Sequence, residues 1–392
     1  MSIELNTEQI HAIYDMESWW NSRDKQVFEI SGAAGTGKTT LVRYLIERLG
    51  LKYDEVLFVA FMGKAASQLA RNGLPAKTIH SAIYDLVKVP ERDENGKIII
   101  KENGKVKTIK KFVLKDRIGK HIKLIVLDEG SMVNEDIGKD LLSFDLPVIV
   151  LGDLNQLPPV FGNSFFLRKP DVILRKIMRQ AEGDPIIWLS QEILNGRKLK
   201  PGIYGKSAVI RREEINEDNF VNSSIVITGT NRLRYSINTK FREEFKQIKN
   251  LEMPQYGEKL ICRKNNWHKM IDDGIFLTNG TTGFVDYVDK ASYNGKTMTI
   301  DFRPDFTKTA FKNITFDYKH LYADPMKEDE PFSYFNDKME FAYAITVHSS
   351  QGSQWEKVLF LDESYIMRDE FSRRSFEYTG ITRARSSIII AI

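Results

Sequence analysis

The sequence predicts an α/β protein of two parallel-sheet lobes, with a small β-hairpin insert in the first and a small β-barrel-like insert in the second. Three observations predict it. Short apolar runs keep ending in glycine-containing polar segments that open helical patterns, and one window between two such runs is strongly basic. From about 284 to 336 the pattern changes to short alternating runs. At 392 residues the chain is longer than one hydrophobic core usually serves, and 42% hydrophobic with 28% charged residues is ordinary globular composition. A disordered chain or a stapled miniature scaffold is excluded. The single Cys262 cannot pair within the chain, and six histidines show no zinc spacing, so a metal is expected to arrive with a substrate. The polar start, and the lack of an apolar run near the ~20 residues of a membrane span, predict a cytoplasmic protein.

The apolar runs of the first lobe lie at 27–30, 56–60, 124–127 and 148–151. In a parallel sheet, ligands gather at the carboxyl ends of such strands. The first run leads into Gly32-Ala33-Ala34-Gly35-Thr36-Gly37-Lys38-Thr39-Thr40, followed by a helix marked by Leu41, Leu45 and Leu49. This is GxxxxGKT in the strand, loop and helix context that gives it meaning. Gly35 and Gly37 let backbone N–H groups curl around phosphate oxygens, and the helix N-terminus adds positive potential. Lys38 is expected on the β and γ phosphates and Thr39 on magnesium, which makes ATP with Mg2+ the expected cofactor.

The run at 124–127 ends in Asp128-Glu129. Strand polarity puts both carboxylates beside the phosphate loop, Asp128 to hold the metal and Glu129 to polarise an attacking water. The run at 148–151 ends in Gly152-Asp153-Leu154-Asn155-Gln156, whose neutral amide Gln156 can touch both the γ-phosphate and that water. Between 97 and 123 there are ten Lys or Arg residues against two acids, so the basicity of the chain, +4 overall, is local. Within it, 98–100 and 106–109 flank Asn103-Gly104, a two-residue hairpin turn. In the second half, runs at 225–228, 342–346, 358–361 and 388–392 make a second lobe, and those at 284–288, 297–302 and 314–316 a β insert.

Taken together and in order, these segments resemble superfamily 1B DNA helicases of the RecD-like and phage Dda-like kind. The resemblance continues through Gln9 in the 5–13 segment (Q motif), VAFMGKAA at 59–66 (motif Ia) and AKTIHS at 76–81. It includes RKIMRQAEGDPI at 175–186 (motif IV), AYAITVHSSQGSQ at 342–354 (motif V) and YTGITRAR at 378–385 (motif VI). Phe61-Met62 stands where the family usually has Pro-Thr, Ser349 where it has Lys, and Gln354 where it has Glu.

The resemblance implies two RecA-like lobes, at 1–82 with 119–178 and at 179–283 with 337–392, a pin insert at 83–118 and a small barrel at 284–336. It implies that Gln9 reads adenine and that Arg179 and Arg383 act as arginine fingers from the second lobe. Lys64, Thr78 and His80, with Phe61 as a base-stacking ring, would contact a strand from the first lobe, and Thr346 and His348 from the second. The pin would work through its Asn103-Gly104 tip or Phe112. The implied activity is ATP-driven 5′-to-3′ translocation on single-stranded DNA and unwinding of forked duplex, by a monomer serving phage or bacterial replication, recombination or repair. Single-strand-binding or replisome proteins would be its partners. The alternatives are a single-strand translocase, an RNA helicase, or a nucleotide-gated DNA-binding or loading subunit.

Overall fold

A computed structural model describes residues 5–71, 73–91, 97–100, 104, 106, 108–157, 164–176, 183–246, 248, 253–271, 275–289, 296–321 and 337–392. The first helix, α1 (Thr7–Ser22), opens on a reciprocal capping box between Asn6 and Gln9. Then come β1 (Val27–Gly32), α2 (Lys38–Arg48), β2 (Val56–Ala60), α3 (Gly63–Arg71), β3 (Ala76–Thr78) and α4 (Ile79–Ile83). After β4 (Tyr84–Pro90) and β5 (Thr108–Leu114), the lobe resumes with β6 (Leu124–Asp128), α5 (Glu135–Leu142), β7 (Val148–Gly152) and β8 (Val172–Leu174). Six of these strands form a sheet in the order β3-β2-β6-β7-β1-β8, with every pairing parallel. Its central strands are apolar on both faces because both are covered: Phe58 and Leu151 pack with α1 and α2, while Val59, Ile125 and Val150 pack with Leu141 and Phe166.

The second lobe starts with α6 (Pro185–Leu194), β9 (Gly202–Tyr204), β10 (Ser207–Ile210), α7 (Glu217–Val221), β11 (Ile225–Thr228) and α8 (Asn231–Lys240). An excursion follows through β12 (Lys259–Cys262), β13 (Asn266–Ile271), β14 (Ile275–Leu277), β15 (Thr282–Asp289), β16 (Thr297–Pro304), β17 (Phe311–Asp317) and β18 (Met339–Phe341). The lobe closes with β19 (Ala344–Thr346), α9 (Val347–Ser350), β20 (Trp355–Leu361), α10 (Glu370–Ile381) and β21 (Ala384–Ala391). Its sheet order, β19-β11-β20-β21-β10-β9, is parallel except at the terminal β9.

The two sheets match position by position, and the match reaches into the sequence. Thr-x-His-Ser follows the first strand in both orders, as Thr78 to Ser81 after β3 and Thr346 to Ser349 after β19. Leu-Asp-Glu ends the third, as Leu127 to Glu129 on β6 and Leu361 to Glu363 on β20. The chemistry then diverges. Glu129 faces the phosphate loop, whereas Glu363 is spent within its own lobe, accepting from the backbone N–H groups of Gly229 and Thr230.

The hairpin ladder lies within 83–118 but starts before the runs that mark it in the sequence, and the second insert reaches beyond its window. The hairpin is a ladder of β4 against β5 from Tyr84↔Leu114 to Pro90↔Thr108, with an Ile100↔Val106 bridge farther out, so it begins well before residue 97. Its first strand is hidden in the sequence because YDLVKVP directly follows α4 without a turn residue. The antiparallel sheet of the second insert, β17-β16-β15-β12-β18, reaches from Lys259 to Phe341, beyond the 284–336 window. β12 does not alternate, because Leu260, Ile261 and Cys262 are all buried: Leu260, Cys262, Ile300 and Phe302 share one core with Val226 and Leu359 of the second lobe, while Ile261 packs with Ile225 and Ile345.

Candidate functional site

The phosphate loop joins β1 to α2. Gly35 and Gly37 hold φ of 81° and 82°, a left-handed backbone that only glycine adopts without strain, and Gly37 caps α2. At Gly32 a Cβ would come within 2.6 Å of Thr36 Oγ1, so the loop needs glycine there for closeness rather than for φ. Lys38 Nζ donates to the carbonyls of Gly32 (2.5 Å) and Ala33 (3.2 Å), lying along the loop it follows. Gln9 is buried, donates to Thr36 O at 3.0 Å and accepts from Asn6 N–H at 3.0 Å. Its amide is engaged on the loop backbone, where it braces the phosphate loop.

The adjacent acids come off the end of β6. Burial raises the Asp128 carboxyl, against the pull of Lys38 and a 3.0 Å hydrogen bond from Glu129 N–H. Burial, and then the charge of Asp128, push Glu129 up to about 7, while Arg383 and Lys38 act to lower it. Glu129 sits at φ 54°, a left-handed conformation costing a non-glycine residue roughly 1 to 3 kcal/mol, the kind of strain that gathers at reactive sites. Two half-buried acids beside a lysine and the Thr39 position form the hard-oxygen donor set a divalent cation bound to phosphates needs, so Thr39 and Asp128 fit magnesium.

Across the seam, Arg383 is buried and shares an electrostatic field with Glu129 and Asp153 of the first lobe. Its guanidinium is latched in its own lobe by Thr379 O (2.8 Å), Ser353 O (3.2 Å) and Thr382 Oγ1 (3.0 Å). Gln156 lies on the loop 153–157, which the second lobe grips: Thr379 Oγ1 accepts from Leu157 N–H at 2.9 Å, and Gln351 Nε2 donates to Leu157 O. Lys38, Asp128, Glu129 and Arg383 therefore meet at the lobe seam, beside the loop that carries Gln156. Arg179 and Asn103 lie outside the described residues.

The expected strand contacts fare less uniformly. Thr78 and Thr346 are twins, each capping a short helix and accepting from a Ser N–H three residues on, at 3.3 Å in both. His80 and His348 follow on those helices, and burial pushes His80 down to about 4 and lowers His348 too, so both rings are neutral. Ser349 Oγ accepts from Arg263 at 3.0 Å, and the Gln354 amide donates to Thr382 O.

Lys64 is not on an open surface. It pairs with Asp305 of the insert at 3.1 Å and lies 4.1 Å over the Trp355 ring of the second lobe, tying three bodies together. Its neighbour Met62 fills a similar junction, since a Cβ at Gly280 or Gly352 would come within 3.1 Å of its side chain. Phe61 packs against His80, and Phe112 joins His80, Tyr84 and Phe276 in one ring cluster. Phe112 therefore seats the base of the hairpin on the lobe and the insert, and is not at the tip, where Gly104 turns with φ 74°.

Two family models match the chain, an AAA domain over residues 18–162 and a UvrD-like helicase C-terminal domain over 341–391. Together with the motif order they support a superfamily 1B helicase. The chain is 26% identical, over 99% of its length, to an uncharacterized protein of Methanocaldococcus jannaschii, and 25% identical, over 92%, to the ATP-dependent RecD2 DNA helicase of Deinococcus radiodurans. It spans 38% and 46% of those relatives' lengths. The fold matches that of Bacteroides Pif1 bound to ssDNA, with a TM-score of 0.51 at 18% identity, covering 100% of this chain and 93% of that one. Among the described residues, no helix is long and apolar enough to cross a membrane.

Sequence patterning singles out neither Tyr378 nor Asp305. Tyr378 stands inside the YTGITRAR segment with no spacing that marks a role for it, and Asp305 is one acid among many until folding sets it beside Lys64.

Proposed function

We propose that this protein is an ATP-dependent DNA helicase that moves 5′ to 3′ along single-stranded DNA and separates forked duplex. The observation that carries the reading is the composite site. Of the half-buried acid pair, Asp128 feels Lys38, and Glu129 feels both Lys38 and Arg383 of the other lobe, so the hydrolytic constellation is complete only while the lobes stand together. In this reading Lys38 and the loop amides hold the phosphates of ATP, while Thr39 and Asp128 hold the magnesium that neutralises them. Glu129 accepts a proton from the attacking water, with Gln156 sensing the γ-phosphate. Arg383, joined by Arg179, stabilises charge developing on that phosphate, an effect worth about 10³ to 10⁵ in rate for such fingers.

Nucleotide-dependent closure would alternately tighten and loosen the twin Thr-x-His-Ser corners on a strand, which makes hydrolysis a step along it. Neutral His80 and His348 suit stacking, worth about 1 to 3 kcal/mol per base whatever the sequence. The names of the RecD2, Pif1 and Dda relatives support DNA as the track. We assign the monomer as the working unit, with single-strand-binding or replisome proteins as partners in the cytoplasm.

The test is strand displacement on duplexes with 5′ DNA, 3′ DNA or RNA tails, run beside Lys38→Ala and Glu129→Gln. The expected outcome is ATP-dependent displacement from the 5′ DNA tail only. Both variants should lose hydrolysis by at least ~10³-fold while keeping single-strand affinity. Hydrolysis persisting in both variants would remove the site assignment, and displacement from the 3′ tail would reverse the polarity. A pure single-strand translocase is favoured by one observation, the capture of Lys64 by Asp305, and would show strand-stimulated hydrolysis without displacement.

A further inference from the structure

Tyr378 of α10 has a fully buried side chain, and one atom of it touches two loops of the opposite lobe. Its hydroxyl donates to Asp153 Oδ2 at 2.5 Å and accepts from the Ala34 N–H of the phosphate loop at 2.8 Å. A tyrosine hydroxyl has one proton to give, and here both its donor and acceptor capacities are in use. Asp153 Oδ1 meanwhile accepts from the backbone and side-chain N–H groups of Asn155, at 3.0 and 3.1 Å. The loop bearing Gln156 is thus held by the second lobe at both ends, through Tyr378 at Asp153 and through Thr379 and Gln351 at Leu157. Movement of the phosphate loop on its ligand must pass through Ala34, and movement of the Gln156 loop through Asp153. Both arrive at the same oxygen.

We propose, resting on the ATPase reading above, that Tyr378 is a positioning residue whose hydroxyl couples the phosphate loop to the Gln156 loop across the lobe seam, so that strand binding controls turnover through it. Phenylalanine keeps the ring and its packing but leaves Asp153 Oδ2 and the Ala34 amide without this partner. A hydrogen bond to a charged acceptor corresponds to about ten- to a hundredfold in an equilibrium or a rate.

The experiment is steady-state ATP hydrolysis by the full chain with and without oligothymidylate, together with fluorescence anisotropy for strand affinity and a thermal melt. For Tyr378→Phe, the strand-stimulated kcat should fall at least about tenfold, with KM for ATP and strand affinity within about twofold. Asp153→Ala should reproduce that loss. Asp153→Asn, whose single oxygen can serve the hydroxyl only by giving up the Asn155 N–H groups, should restore part of the stimulation. The double variant Tyr378→Phe with Asp153→Ala should be no worse than Asp153→Ala alone. Unaltered stimulation in Tyr378→Phe overturns the proposal. So does a parallel loss of melting temperature, affinity, KM and kcat, which marks a merely structural residue. If Tyr378→Phe fails to fold, the contrast between Asp153→Asn and Asp153→Ala decides. A wild-type chain that hydrolyses no ATP on any strand overturns the ATPase reading and this coupling with it, whereas stimulated wild type with equally stimulated variants overturns the coupling alone.

Discussion

Single side chains in this molecule carry consequences that their neighbours, rather than their identity, decide. Glu377 on α10 is mostly buried against Asp362, and desolvation followed by that like charge raises it from 4.5 to about 7. In the unfolded chain it ionises near 4.5. Between those values the folded state holds a proton that the unfolded state has lost, so stability falls as pH rises from about 4.5 to 7 and levels off above. Glu377→Gln should therefore flatten that limb and stabilise the protein at pH 8 by about 2 kcal/mol, with little change at pH 4.5, in melts compared at both pH values. Ser364 Oγ, 2.8 Å from Glu377 Oε1, can donate to the amide oxygen instead. The chemistry of residues such as Lys38 and Asp128 is legible in the sequence because motif spacing fixes what surrounds them. The contacts of Lys64 and Gln9 are not, because their partners, Asp305 and Thr36, come from other parts of the chain.

At the scale of elements, the hairpin shows how a correct outline can conceal where the energy lies. Asn103-Gly104 and the basic run point to the tip, yet the described anchoring contacts are at the base. There Phe112 meets His80 of the lobe at 5.7 Å, Tyr84 of its own hairpin at 5.6 Å and Phe276 of the insert at 6.4 Å between ring centroids. Phe112→Ala removes that seat at a cost of about 2 kcal/mol and lets the hairpin lean. The expected outcome is fewer base pairs separated per ATP hydrolysed, read by measuring displacement and phosphate release in one reaction. An undiminished yield would mean that the hairpin needs no support from the insert. The ion pair of Lys64 with Asp305 belongs to this scale too. Because it is largely desolvated, removing one partner would strand the other charge away from water, which an exposed pair such as Arg48 with Glu17 does not risk.

For the whole molecule, the uneven charge sets how nucleic acid is met. Exposed Lys111, Arg117 and Lys120 all lie in the basic window beside the hairpin. If they steer a duplex, replacing all three with alanine should make the log–log salt slope for a forked duplex shallower by about 0.9 for each phosphate no longer neutralised, while the slope for a plain single strand stays unchanged. Equal changes on both substrates would place these charges on the single-strand path. By itself the sequence determined the two-lobe α/β class, the phosphate loop, the acids ending β6 and the motif order, because strand, loop and helix patterns are local and their chemistry is written at fixed spacing. Only the tertiary structure decided that Tyr378 meets Ala34 and Asp153, that Arg383 faces Glu129 and that Lys64 belongs to Asp305. Those pairings join residues hundreds of positions apart, and which distant groups share a buried space is set by how the lobes and inserts pack, which no local pattern records.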